Sequence, residues 1–149
     1  MSETVEIEFR IEDGDNVNVE TLWAIKIGDN LYELDNSPFF AYNVSWKDVI
    51  EALPGSDGRL EFKKVVKKSG HKTIRVIFDP PVNQSAASKK ILDDMVEMGC
   101  SFEGANPAYI AVDIPPAVDL LKVREYLTRM KVQWEPGDPN YDLLFPESK

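Results

Sequence analysis

From Lys72 onward the hydrophobic pattern switches between a period of 2 and a period near 3.6, and the order this writes leaves few topologies open. Lys72 to Phe78 reads as a strand. Ala87, Ile91, Leu92, Met95 and Val96 then form the stripe of an amphipathic helix, with Asn83 or Ser85 placed to cap its start and Gly99 to end it in a left-handed conformation. Cys100 to Glu103 is a short strand, Gly104-Ala105-Asn106-Pro107 a turn, and Tyr109 to Ile114 a further strand. After Pro115-Pro116, Asp119 caps a second helix whose core face is Leu120, Val123, Leu127 and Met130, and Val132-Gln133-Trp134 is a last strand.

That sequence of elements is the ferredoxin-like split-βαβ order, in which two helices cover one face of a four-stranded antiparallel sheet. The expected class is α+β. A small antiparallel β unit, barrel-like and half-open, is expected over 1–68, a ferredoxin-like βαββαβ half over 69–135, and a Pro-rich tail over 136–149, extended or docked by Tyr141, Leu143, Leu144 and Phe145. In the first unit, Val5 to Glu12 alternates apolar and polar residues without a break, the mark of a half-buried strand that ends at Asp13-Gly14-Asp15-Asn16. Glu20–Ile27 and Leu31–Leu34 flank Gly28-Asp29-Asn30 as a hairpin, and Val49 to Leu53 is a strand stopped by Pro54-Gly55. Arg59–Lys67 and Lys72–Phe78, joined by Lys68-Ser69-Gly70-His71, are expected to form a second hairpin. Asp35 to Trp46 is aromatic-rich yet lacks either period, so it reads as an ordered loop with its aromatics partly buried.

With 149 residues, 43% of them hydrophobic, the chain has apolar material for one domain or two small subdomains and is not expected to be disordered. No run approaches the roughly 18 apolar residues that cross a bilayer, and the acidic start differs from a signal peptide, so a cytoplasmic protein with no membrane partner is expected. A single cysteine and a single histidine exclude an internal disulfide, a Cys-only metal site and a His-rich one. With neither a P-loop nor a Gly-x-Gly-x-x-Gly sequence, no cofactor is expected.

The net charge of −9 is unevenly spread. Residues 1–61 carry 14 acidic and 4 basic side chains, 62–78 carry 6 basic and no acidic ones, and the remainder is acidic again. Such a balance disfavours DNA, whose binding rests on neutralising phosphates, and favours a basic protein drawn in by the long-range field. The acidic groups placed to meet it are Glu6, Glu8, Glu12, Asp13, Asp15, Asp29, Glu33 and Asp35. The basic stripe Lys63, Lys64, Lys67, Lys68, Lys72 and Arg75 could instead touch RNA, but the aromatic residues that RNA binding wants on a sheet are scarce beside it.

His71 is the one side chain whose ordinary pKa lies near neutrality, and among lysines at a hairpin tip it suits a structural role better than catalysis. Cys100 opens a strand after a helix-ending glycine and reads as a small buried hydrophobe. Asp93 and Asp94 are helix neighbours that point apart, so they form no acid–base pair. Phe39, Phe40 and Tyr42, with Trp46 and Trp23, could anchor a protein partner or pack beneath the loop.

The segments Glu20-Thr-Leu-Trp-Ala24, Leu31-Tyr-Glu-Leu-Asp-Asn-Ser-Pro-Phe-Phe-Ala-Tyr-Asn-Val-Ser-Trp-Lys-Asp-Val49, Ser69-Gly-His-Lys-Thr-Ile-Arg-Val76 and Gly104-Ala-Asn-Pro107 resemble an uncharacterised bacterial domain-of-unknown-function family of small acidic proteins. The resemblance spans roughly residues 20–130 and carries no activity across. It implies that Asn36, Pro38, Phe39, Phe40, Tyr42, Ser69, Gly70, His71, Gly104, Asn106 and Pro107 belong to the family pattern. The second half is also similar in topology to ferredoxin-like regulators that bind and inhibit an RNA-degrading enzyme, an analogy of fold alone.

The expected function is a non-catalytic acidic binding protein, most concretely an immunity protein that neutralises a basic toxin domain such as a nuclease. The alternatives are an RNA-binding or ribonuclease-regulating module using the Lys63–Lys72 stripe, and an enzyme or ligand-binding domain using the His71 loop with Ser69, Asn106 and a neighbouring carboxylate.

Overall fold

The computed structural model describes residues 4–139. β1 (Thr4–Asp13) and β2 (Asn16–Gly28) pair antiparallel across a two-residue turn at Gly14 and Asp15. β3 (Leu31–Leu34), β4 (Val49–Pro54) and β5 (Leu60–Lys67) continue the meander, and β5 returns to β1 in parallel with Ile7 against Leu60. The five strands therefore close into a barrel, where a half-open one was expected. Closure follows from the alternation in β1: Ile7 and Phe9 point into the interior with Leu22, Leu34 and Ile50, and the parallel pairing of Ile7 and Glu8 with β5 joins the edge that a half-open barrel would leave free there. β2 begins earlier than Glu20 because the hairpin tip runs past the barrel, where residues 16–19 are exposed on both faces and no burial period exists to be read.

The second unit is β6 (Lys72–Ile77), α1 (Ala86–Glu97), β7 (Ser101–Gly104), β8 (Tyr109–Ile114), α2 (Leu120–Arg129) and β9 (Gln133–Asp138). Its four strands lie in the order β7-β8-β6-β9 with every neighbouring pair antiparallel. The described chain is thus a mixed α+β structure of nine strands in two sheets and two helices. Ile74, Val76, Ile110, Val112 and Ile114 from the sheet meet Leu92 and Met95 of α1 and Val123, Tyr126 and Leu127 of α2 in one core.

The expected hairpin between β5 and β6 does not form. Both edges of β5 are occupied, by β4 and by β1, so residues 68–71 cross from the barrel to the second sheet, where β6 lies between β8 and β9. β6 is buried on both faces: Ile74 and Val76 face the helices, and Thr73 and Arg75 face the barrel side.

The helices start as read, with the Ser85 and Asp119 side chains accepting from the N–H groups of Ser88 and Leu121. Their faces differ in detail. In α1 the buried set is Ser88, Leu92 and Met95, while Ala87 and Val96 are exposed; in α2 Tyr126 takes the core position expected for Met130, which caps the helix in solvent. Gly99, at φ +110°, is where an added Cβ would come within 2.9 Å of Val118, so both backbone and space demand glycine. β9 extends to Asp138, so Pro136 and Gly137 belong to a strand instead of the tail; Tyr141, Leu143, Leu144 and Phe145 lie outside the described residues.

Cys100 is buried, as its sequence context suggested, and burial pushes its thiol pKa up from 9.0 to about 11. A thiol whose folded pKa exceeds its unfolded one opposes unfolding less as pH rises, so stability should decline between about pH 9 and 11. In the native protein at pH 8 Cys100 is expected to resist a thiol reagent such as dithionitrobenzoate and to react within minutes in denaturant; rapid native labelling would contradict the burial argument.

Candidate functional site

Three successive N–H groups, of Phe39, Phe40 and Ala41, donate to the Glu20 carboxylate at 2.6, 3.1 and 2.8 Å. The backbone has to curl for consecutive amides to converge on one anion, and this arrangement fixes the Pro38-Phe39-Phe40-Ala41-Tyr42 block against β2. The rest of that loop is tied in the same manner. The Asn36 side chain accepts from Trp23 N–H at 2.9 Å, Ser37 N–H donates to the Glu103 carboxylate at 2.8 Å, and Tyr109 Oη donates to Phe39 C=O at 2.6 Å. Burial raises the pKa of Glu103, an effect the Ser37 N–H partly offsets.

The loop thereby joins the barrel to the second sheet, and Arg75 holds the joint. Its guanidinium donates to Ala41 C=O, lies 4.8 Å from the centre of the Tyr42 ring and has Nη1 3.5 Å from Glu135 Oε1. Arg75 is 1% exposed, and an added Cβ on Gly137 would come within 3.0 Å of its guanidinium carbon, so β9 carries glycine there. Tyr42 Oη donates to Glu135 at 3.2 Å; burial first and Glu135 second raise the tyrosine's pKa.

Further along the seam, Lys68 Nζ bridges the carboxylates of Asp48 and Asp138, the latter at 2.5 Å, and Ser45 Oγ donates to Asp138 at 2.6 Å beside Thr73. His71 Nδ1 faces Asp113 Oδ1 and Oδ2 at 2.9 and 3.0 Å, with the Trp46 ring edge-on at 5.3 Å. Burial raises the Asp113 pKa and the histidine partly offsets it. Ser69 Oγ donates to Trp46 C=O and accepts from His71 N–H. Asn106 does not join them: its side chain accepts from Ala108 and Tyr109 N–H in the turn that opens β8, at the other end of the strand from Asp113.

The basic stripe does not exist as one surface. Lys63, Lys64 and Lys67 are exposed on β5, Lys68 is engaged by two carboxylates, Lys72 is half-buried on β6 and Arg75 is buried. Its dispersal has the same cause as the missing hairpin, since β5 and β6 lie in different sheets.

The acidic residues are partly assembled. On the outer face of the β1–β2 hairpin the register sets Glu6 opposite Trp23, Glu8 opposite Thr21, Arg10 opposite Val19 and Glu12 opposite Val17. Asp35, beyond β3, donates its N–H to Trp23 C=O at 2.9 Å, so Trp23 lies between Glu6 and Asp35. Trp23 is 50% exposed, Val17 and Val19 about as much. Glu8 is engaged by Arg59 at 3.2 Å. Asp13 and Asp15 are at the hairpin tip, and Asp29 and Glu33 are on the far side of β2, toward its other end. A strand start at Glu20 omits Val17 and Val19, which alternate with Asn16 and Asn18 and continue through Thr21 and Trp23 as an exposed row with no buried counterpart before Glu20.

Beside Val19, a cavity of about 470 Å³ opens between the hairpin and the aromatic block, with Phe40 and Tyr42 on one side and Glu12, Glu20 and Glu135 around it. Phe40 and Tyr42 are 53% and 48% exposed, so the block is packed at Phe39 and presented at Phe40 and Tyr42. Among the described residues no helix is long and apolar enough to cross a membrane.

The crystal structure of a hypothetical protein from Neisseria gonorrhoeae is similar over 93% of this chain and 97% of that one, with a TM-score of 0.78 at 19% identity, a likeness of fold. No curated protein matches. The model of a family described as a domain of unknown function, DUF4265, matches residues 20–135, from the glutamate that holds the aromatic block to the one that faces Arg75, and the chain belongs to that family.

Proposed function

We propose that this chain is a non-catalytic acidic binding protein that docks a basic protein on the outer face of the β1–β2 hairpin, most concretely an immunity protein neutralising a basic toxin domain such as a nuclease. The observation that carries this reading is the setting of Trp23, half-exposed between Glu6 and Asp35. A large aromatic ring held by neighbouring backbone bonds loses little entropy when covered, and carboxylates at its rim steer a cationic partner and reject an acidic one. The strand order β7-β8-β6-β9, with a helix after β6 and another after β8, supports reading the second unit as ferredoxin-like, a platform that presents the barrel. The lysines left exposed on β5 share that strand with one aromatic ring, Phe62, which stacks on Phe9 and is not presented for base stacking, so RNA is not favoured.

The test is capture from the native host by tagged protein at low and high salt. The wild type is expected to retain one basic protein that salt releases. Trp23→Ala should weaken that binding roughly 30-fold, the size of a hot-spot loss of about 2 kcal/mol. Capture of RNA, or of a partner indifferent to salt and to Trp23→Ala, would overturn the reading.

A further inference from the structure

We infer that the cavity beside Val19, which opens on the Ile11, Asn18 and Glu20 side of the hairpin, receives one arginine side chain that the basic partner passes around the hairpin from the Trp23 side, a step that rests on the proposed function and gives it a recognition residue. The cavity, about 470 Å³, has room for an arginine side chain and the backbone that carries it. Its walls combine the two things a guanidinium seeks. Phe40 and Tyr42 offer half-exposed ring faces, and Glu12 and Glu135 offer carboxylates, Glu12 exposed and Glu135 with 47% of its side chain open to solvent. Glu20 adds a third negative charge at the base, its oxygens already occupied by three N–H groups, so it contributes field and not a free acceptor.

The molecule contains its own version of this contact. Arg75 approaches from within, its guanidinium 4.8 Å from the Tyr42 ring centre and 3.5 Å from Glu135. A planar, weakly hydrated guanidinium stacks on a ring while pairing with a carboxylate, which a compact and strongly hydrated ammonium does less well; arginine is therefore favoured over lysine. Three carboxylates line the cavity against two neighbouring cations, Arg75 beside Tyr42 and Arg10 opposite Val19, a balance that disfavours anionic ligands.

The probe is a blocked peptide, acetyl-Gly-Arg-Gly-amide, titrated into isotope-labelled full chain by NMR, with the citrulline peptide as its uncharged isostere. The arginine peptide should give saturable shifts at Val19, Phe40 and Tyr42, the citrulline peptide at least tenfold weaker ones. Glu12→Gln, an exposed substitution, should weaken the arginine peptide about threefold or more. Equal shifts from both peptides, or none from either, would overturn the inference. If the peptide fails while the host partner is still captured through Trp23, the arginine site alone is wrong; if capture fails as well, the proposed function falls with it.

Discussion

Arg75→Ala should cost about 4 kcal/mol of stability, combining the cavity left by a long buried side chain with the loss of a hydrogen bond to Ala41 C=O and of the cation facing Glu135. Arg75→Met makes the sharper comparison. The Nε and Nη1 atoms of Arg75 are buried with no hydrogen-bond partner among the described residues, so its charge is incompletely satisfied. Filling the same volume with an apolar chain removes that desolvation cost along with the useful contacts, and the net loss should be only about 1 kcal/mol. Urea unfolding of the two variants decides the matter. Equal large losses would mean that the charge itself holds the barrel to the second sheet, and equal small ones that the joint does not depend on Arg75 at all.

Glu20→Ala should be nearly as damaging, at roughly 3 kcal/mol, because three N–H groups lose one charged acceptor together. The effect has a local signature. Amides of Phe39, Phe40 and Ala41 should exchange with solvent far faster than in the wild type, while the helix amides of α2 keep their protection until global unfolding. Glu20→Gln keeps one acceptor oxygen but turns an amide NH₂ toward donors, so about half of the loss should remain. Unchanged exchange at 39–41 in Glu20→Ala would show that the loop holds its shape without this carboxylate.

The legible parts of the sequence were those where one face is buried and the other wet. β1, the β2–β3 hairpin, both helix starts and the order of elements after Lys72 all carry such periods. The pairing of β5 was not legible, because barrel closure is decided by which strand edges are left free, and no residue of β5 states that. The α1 face differs from its stripe at Ala87 and Val96, and the α2 face at Met130: Tyr126 and Met130 are four residues apart on one stripe, and the helix ends before the second can reach the core. At the site, the block around Phe40 was visible as an anomaly, aromatic and without period. Its meaning depended on Glu20 and Arg75, which are 19 and more residues away and which nothing local connects to it. Asn36 ties the loop to β2 through Trp23 N–H, Ser69 and Asn106 accept from N–H groups two residues on and shape their turns, and His71 gains in Asp113 a partner 42 residues distant.

The proposed docking surface is the acidic outer face of the β1–β2 hairpin, extended to the cavity that Phe40 and Tyr42 line. Its most direct test is to titrate the captured basic protein into the isotope-labelled chain and map which amides shift. Shifts are expected along 6–12 and 17–23, and at Phe40 and Tyr42, and should vanish at high salt. Shifts confined to Lys63–Lys67 or to the loop around His71 would contradict it.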